Sequence, residues 1–360
     1  MNDRIAHMTA LLIVLAAGLA LPYLTSVPLP RLAMLWLFMT LAIGWHITAA
    51  QAGYLPLGSV VFFGIGIYAA AVLQISLYHP LAEYVSASAR DTAITFTPHQ
   101  IFTGLALGIP FGGLTAMLAA MLLGPLLLSL PRQHFAIATL GLALALPELA
   151  AGWQLIGGGA GLPLPPLPQD MPGADMFYRI SLVMAALALL LLAWLRATHM
   201  RLALNALRED EEKARALGLA TLRHKVLAFS LTALLCGLAG AVYGNLVRLV
   251  DPFTTAFDLS GPGTWVAFMV VLGGMTTFWG PAVGALAFFG LQELLLPWAG
   301  GWHQALLAAL VLIAMAMFPR GMSGWLTARW PRLFAASRAM HQPRHGASPL
   351  PRACTEARHV

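Results

Sequence analysis

Seven charged side chains, Arg208, Glu209, Asp210, Glu211, Glu212, Lys213 and Arg215, fall within eight positions of a 360-residue chain in which only 9% of residues are charged. Residues of these types at this spacing do ion pairing and docking rather than covalent chemistry. Glu209 with Lys213, and Glu211 with Arg215, stand four apart in the order that stabilises an isolated helix. With Asn205 as N-cap, acidic residues early, Lys213 and Arg215 late and Gly218 to end it, the stretch predicts one short polar helix. On the residues alone two readings stay open: a solvated connection between apolar segments, or a docking helix for a soluble partner.

Catalytic constellations are missing elsewhere. The chain has two lysines, Lys213 and Lys225, and neither follows a glycine and precedes Ser or Thr, so it carries no phosphate-binding loop. There is no His-Glu-x-x-His and no Gly-x-Ser-x-Gly, and the two cysteines, Cys236 and Cys354, make neither a disulfide framework nor a metal site. No cofactor and no metal are implied. Among ionisable residues within apolar runs, His46 reads as a buried, hydrogen-bonded histidine, while Glu148 and Glu293 stand near segment ends where they can snorkel or cap.

The elements that must carry these residues are membrane helices. Hydrophobic residues make up 59% of the chain, and spanning about 30 Å of hydrocarbon takes roughly 20 apolar residues. Ten segments qualify: 8–27, 32–50, 57–77, 101–130, 135–151, 177–195, 226–247, 264–274, 280–296 and 303–318. The expected fold is therefore all-α and polytopic, with about ten transmembrane helices, eight if the short 264–274 run and its successor form a re-entrant pair. The first run is longer than the apolar region of a secretory signal and reads as a span.

Basic residues set the orientation. Arg4, Arg132, Arg196, Arg201, Arg208, Lys213, Arg215, Arg223, Lys225 and the tail from Arg320 onward fall on one face of a ten-span arrangement. Glu83, Asp91, Asp170, Asp175, Asp251 and Asp258 fall on the other, with Arg31, Arg90, Arg179 and Arg248 at or near span ends. Both termini and the charged stretch are thus expected in the cytoplasm. The net charge of +6 follows from this topology and calls for no nucleic acid. Residues 1–328 are expected to form the membrane domain, with a cytoplasmic loop at about 198–225; 329–360 read as a disordered basic cytoplasmic tail that can meet anionic lipid.

Four further stretches have paired readings. "GYLPLGS" at 53–59 is either a break in a membrane helix or an ordinary turn, since Pro56 lacks an amide hydrogen and Gly53 and Gly58 tolerate unusual torsions. Phe62 and Phe63 follow on a glycine-rich helix that reads as a helix interface or as path lining. The Pro- and Gly-rich 153–175 segment is a linker, or an external lid or contact. "GGMTTFWGP" at 273–281 is a second cytoplasmic contact or a tight turn with an interfacial tryptophan.

Four stretches in order resemble the LivM-type inner-membrane permease family of ATP-binding-cassette importers for branched-chain amino acids, over about 41–324. They are "GYLPLGSVVFFGIGIYAA", "RQHFAIATLGLAL", "IGGGAGLPLP" and the run from "ALREDEEKARALG" through "MVVLGGMTTFWGPAVGA". The resemblance implies an ATPase-coupling element at Arg208, Glu209, Glu212, Ala214 and Gly218. It also implies a translocation path near Gly53, Pro56, Gly58, Ser59, Phe62 and Phe63. An external loop at Gly157, Gly158, Gly159 and Gly161 and a cytoplasmic turn at Gly273, Gly274, Trp279, Gly280 and Pro281 complete the set. The implied partners are cytoplasmic ATPase subunits, a second related permease, a periplasmic solute-binding protein and a small solute, in a bacterial inner membrane. Pro56 stands where the family has serine, Ser59 where it often has histidine, and Pro262 in place of a Ser-Ile step, which bears on the solute rather than the fold. The competing expectation is a self-sufficient secondary transporter driven by an ion gradient, against which the scarcity of carboxylates within spans argues.

Overall fold

A computed structural model describes residues 14–16, 18–25, 27–88, 94–168, 171–275, 277–299, 302–317 and 321–324. Arg4, Arg90, Asp91, Asp170, Arg320, Cys354, the tail 329–360 and part of the first expected span lie outside them. The chain is an all-α polytopic membrane protein, because in hydrocarbon only helices satisfy a single segment's backbone internally. The helices are α1 (Leu29–His46), α2 (Val60–Ser76), α3 (Leu81–Ser88), α4 (Pro98–Leu127), α5 (Arg132–Ala151) and α6 (Gly173–Ala197). Then come α7 (Met200–Glu209), α8 (Glu211–Ala216), α9 (Thr221–Val247), α10 (Thr264–Gly273), α11 (Gly280–Ala299) and α12 (His303–Met317).

The expected count of ten crossings is not confirmed among the described residues. Among the described residues seven helical segments are long and apolar enough to cross a membrane, eight if α2 and α3, bent by 99°, form one. Apolar runs and helices are different things. Val14–Leu24 and Gly280–Leu295 are helical and apolar but shorter, and α2 turns away after Ser76. The 264–274 run that looked too short is completed upstream by two π-helical turns, giving a 22-residue segment, Pro252–Gly273. That places Asp258, expected on the outer face, inside a membrane-length segment.

Helix α1 is central, with 94% of its membrane window buried, and a π-helical turn, Ile47–Ala52, prolongs it to Gly53. In contrast, α4 and α5 bury only 33% and 28% of theirs and turn aliphatic side chains outward, among them Leu118, Leu122, Leu126, Ile137 and Leu149. Lipid tails provide no hydrophobic drive between helices, so close packing has to hold the bundle. It does so where α2, α4 and α9 cross. A Cβ at Gly66 would collide with the Gly237 carbonyl, one at Gly237 would meet the Gly112 carbonyl at 2.7 Å, and one at Gly112 would meet the Gly66 carbonyl at 2.6 Å.

The two ends of the bundle differ. At one, Leu162–Pro163 pairs antiparallel with Leu249–Val250, in register Leu162 with Val250. Tyr84 donates its hydroxyl to the Pro163 carbonyl (3.1 Å), and Leu164 N donates to the Arg248 carbonyl (2.8 Å). At the other end, the starts of α5 and α9 meet α7 and α8.

Because each of these three glycines faces backbone, Gly66→Val and Gly237→Val should overpack the crossing, costing about 1–3 kcal/mol or more. The measurement is thermal unfolding of purified protein in detergent. Gly141, whose Cβ would meet nothing within 4 Å, should accept valine without a comparable fall in the unfolding midpoint.

Candidate functional site

The charged stretch is two helices, not one. Asp210, with extended torsions (φ −155°, ψ 108°), separates α7 from α8 and caps α8, its Oδ1 accepting from Glu212 N and Lys213 N, both at 3.1 Å. Asn205 lies inside α7 and is not the N-cap. An aspartate that satisfies two free amides competes well against continuing the helix, which is why the break falls there. Lys213 accordingly pairs with Asp210 (2.9 Å) rather than with Glu209, whereas Glu211 and Arg215 do meet, at 3.4 Å. The amide of Lys213 and then its ammonium hold the Asp210 carboxyl below the usual carboxylate range, and Asp210 raises Lys213 in return. Gly218 ends the element as expected, with φ +83°.

This element is fastened to the bundle by charge. Lys225, 3% exposed near the start of α9, forms a short ion pair with Glu211 and donates to the Tyr54 hydroxyl (2.7 Å) and the Leu128 carbonyl (3.4 Å). The Tyr54 hydroxyl donates to the other Glu211 oxygen (2.6 Å). Burial works to raise the Glu211 carboxyl, but the hydrogen bonds from Lys225 and Tyr54 and the Lys225 charge outweigh it and hold it below its ordinary 4.5. Burial, and then the hydrogen bond to Glu211, push the Tyr54 hydroxyl upward. Arg132 donates to the Leu207 and Arg208 carbonyls (2.6 and 2.9 Å), where it also complements the negative end of α7. Arg208 donates to the Ala50 carbonyl (2.8 Å) at the end of the π turn, and its Cγ lies 3.1 Å from where a Cβ on Gly53 would stand.

The expected coupling residues therefore divide. Glu212 and Gly218 are exposed, together with Leu217 at 88% exposure. Ala214 is buried against the bundle, and Arg208 reaches back to it. Glu209 is exposed at the end of α7. Tyr54 was not singled out from the sequence, nor were the fastening roles of Glu211, Lys225 and Arg132. The available signal was that one of two lysines stands in the first turns of a buried helix, where it must find an anion.

The remaining expected positions are placed as follows. Gly53 takes φ +77° after the π turn, and the Pro56 carbonyl accepts from Trp45 Nε1 (3.2 Å). Gly58 lies so close to Thr139 of α5 that a Cβ would collide with its carbonyl, and Ser59 is buried. The Phe62 ring packs edge-on against Phe229 (5.0 Å) and Phe63 against Tyr243 (5.3 Å), both fully inside the chain. At the far end Gly157, Gly158 and Gly161 take positive φ, Gly159 does not, and the loop runs into the Leu162–Pro163 strand. The Gly273–Pro281 turn has Gly274 at φ +105°, Ser323 donating to the Gly273 carbonyl, Phe278 under the Arg196 guanidinium (5.3 Å), and Trp279 edge-on to Phe278. Gly280 and Pro281 open α11, with Gly280 packed closely on Gly274. His46 is buried, with Nε2 3.3 Å from Arg196; Glu293 pairs with Arg31 (3.2 Å), and Glu148 is exposed.

Residues 29–316 match the family described as branched-chain amino acid transport system / permease component. The chain is 26% identical over 343 residues to the high-affinity branched-chain amino acid transport system permease protein LivM of Escherichia coli (strain K12), covering 87% of this chain and 74% of that one. Against the protein of the same description from Salmonella typhimurium it is 26% identical over 341 residues, with the same coverage. No solved structure matches it.

Removing one partner of a buried ion pair strands the other. Lys225→Met should lower the unfolding midpoint in detergent more than Arg215→Ala, whose exposed pair contributes about 0.5 kcal/mol or less. The native Glu211 value lies below the unfolded one, so its contribution is complete above about pH 4.5. It is lost as pH falls through the lowered native value. Hydrogen exchange of 211–216, corrected for intrinsic rates, should accelerate in that acid window and already be fast at neutral pH in Lys225→Met.

Proposed function

Since the chain belongs to the branched-chain amino acid transport system permease family, we propose that it is the permease subunit of an ATP-driven importer in a bacterial inner membrane. In this reading it lines a path for branched-chain amino acids or a related small polar solute, beside a second, related permease. A separate cytoplasmic ATPase supplies the energy, and a periplasmic binding protein delivers the solute to the end that carries the Gly157–Gly161 loop. The observation that carries the reading is the α8 element. Its outer side presents Glu212, Leu217 and Gly218, while its inner side is fixed through Glu211 and Lys225.

That arrangement suits coupling. A leucine 88% exposed at a polar bundle end is an anchor awaiting a pocket. A surface bonded to α9 by a buried pair cannot move without moving α9 or breaking the pair. The outward leucines of α4 and α5 offer surface to lipid and to the sister permease.

Two experiments check this. Reporters joined after Arg208 should report cytoplasm and one inserted at Pro168 the periplasm; the reverse would overturn the orientation. A Cβ on Gly218 would meet nothing within 4 Å, so Gly218→Trp costs only the left-handed torsion, about 1–2 kcal/mol in an element that can fray. The variant should insert and express, yet lose solute uptake and no longer copurify with the ATPase. Normal transport with the ATPase still bound would return the stretch to a solvated loop.

A further inference from the structure

Asp258 sits where carboxylates are scarce. Its depth can be paced out along the helices. Gly58 touches Thr139, seven residues or about 10 Å along α5 from Arg132. Gly64, six residues or about 9 Å farther along the chain, packs against the Phe257 ring and lies 2.8 Å, measured from a built Cβ, from the Ala256 carbonyl. Since α5 is 20 residues long, about 30 Å, Asp258 falls near mid-depth. Below it, a Cβ on Gly263 would stand 3.3 Å from Val60 at the start of α2.

The backbone there is broken. Between the turns Pro252–Ala256 and Leu259–Gly263 the chain leaves helical torsions, and Gly261 (φ −101°, ψ −113°) is non-helical. Asp258 Oδ1 accepts from Ser260 N (2.9 Å) and Ser260 Oγ (2.6 Å). Oδ2 lies over Gly261, in space that any Cβ there would fill. Ser260 and Thr264 are exposed beside the half-buried carboxylate, and Thr264 donates to the Leu259 carbonyl. None of the ion pairs among the described residues includes Asp258.

A half-buried carboxyl group beside two exposed hydroxyls at that depth is unsuited to lipid; such groups face water-filled paths or cationic partners. We propose that Asp258, with Ser260 and Thr264, forms a mid-membrane subsite that holds the ammonium group of a passing amino acid. The proposal rests on the importer reading and adds to it a solute class: primary ammonium compounds, in preference to uncharged amides or urea. The carboxylate's missing counter-ion is then the cargo itself, present only during passage.

The test uses the complete complex of both permeases, ATPase and binding protein in proteoliposomes, with radiolabelled leucine and urea as probes. Asp258→Asn keeps an oxygen to accept from Ser260 and removes the charge, so the turn is retained. It should lower leucine uptake about tenfold to a hundredfold, with ATPase and sister permease still copurifying; Asp258→Glu should recover part of the loss. Ser260→Ala, which keeps the carboxylate, should lower it only a few fold. Wild-type leucine uptake by Asp258→Asn would overturn the proposal, as would loss of the sister permease, which would make the carboxylate an intersubunit ion pair. So would a wild-type complex that accumulates urea on ATP but not leucine, which leaves the importer reading standing. A wild-type complex that accumulates neither on ATP overturns the importer reading itself.

Discussion

Backbone-to-backbone contact between α2, α4 and α9 is the constraint on which the other features rest. Three glycines, Gly66, Gly112 and Gly237, let carbonyls of one helix occupy space that a side chain of the next would need. In a bilayer this is how helices gain dispersion contacts that lipid would otherwise supply. The crossing sets the tilt of α9 and hence where Lys225 emerges at one end and Arg248 at the other. It also places α2 so that Gly64 packs against Phe257 and Val60 against Gly263 of the broken segment 252–263.

The polar parts are arranged around that apolar frame by short side-chain bonds to backbone ends. Arg132 closes α7, Arg208 closes the π turn after α1, and Asp210, Asp251 and Asp258 open the turns that follow them. Each satisfies amides or carbonyls that a helix end leaves open. The charged loop is therefore held as one piece by bonds to three different membrane helices, with its unpaired leucine and glycine outward. Charge in this chain does local fastening.

Much of this was legible beforehand. The apolar runs located nearly every helix, the glycine at 218 marked a helix end, and the ordered stretches from 53 to 281 pointed to the family. What escaped reading has physical causes. Asn205 and Asp210 are both good caps, and only packing of 200–209 against the bundle decides for the second. The pairing of Glu211 with Lys225 spans a loop and a helix start, so no local spacing announces it. The polar run "DLSGPG" hid the full length of the crossing that contains 264–274, because apolar counting breaks off there, whereas a segment with glycines and capping aspartates can continue through hydrocarbon as separate turns. Apolar length alone does not fix the crossing number, because it does not reveal a 99° bend after α2.

Helix α9 is pinned at both extremities. Thr221–Val247 is about 40 Å long. Lys225 clasps α8 near its foot, and the strand that follows its head is stitched to the strand after the Gly157–Gly161 loop through Leu162 and Val250. A rod clamped twice and pressed at its waist by Gly66 and Gly112 has a fulcrum. Were α9 to pivot there as a rigid body, a lateral displacement of its stitched end would swing the foot the opposite way, carrying the leucine-tipped element with it. The molecule is in that sense a see-saw, whose lever arms are fixed by where the glycines lie in the sequence.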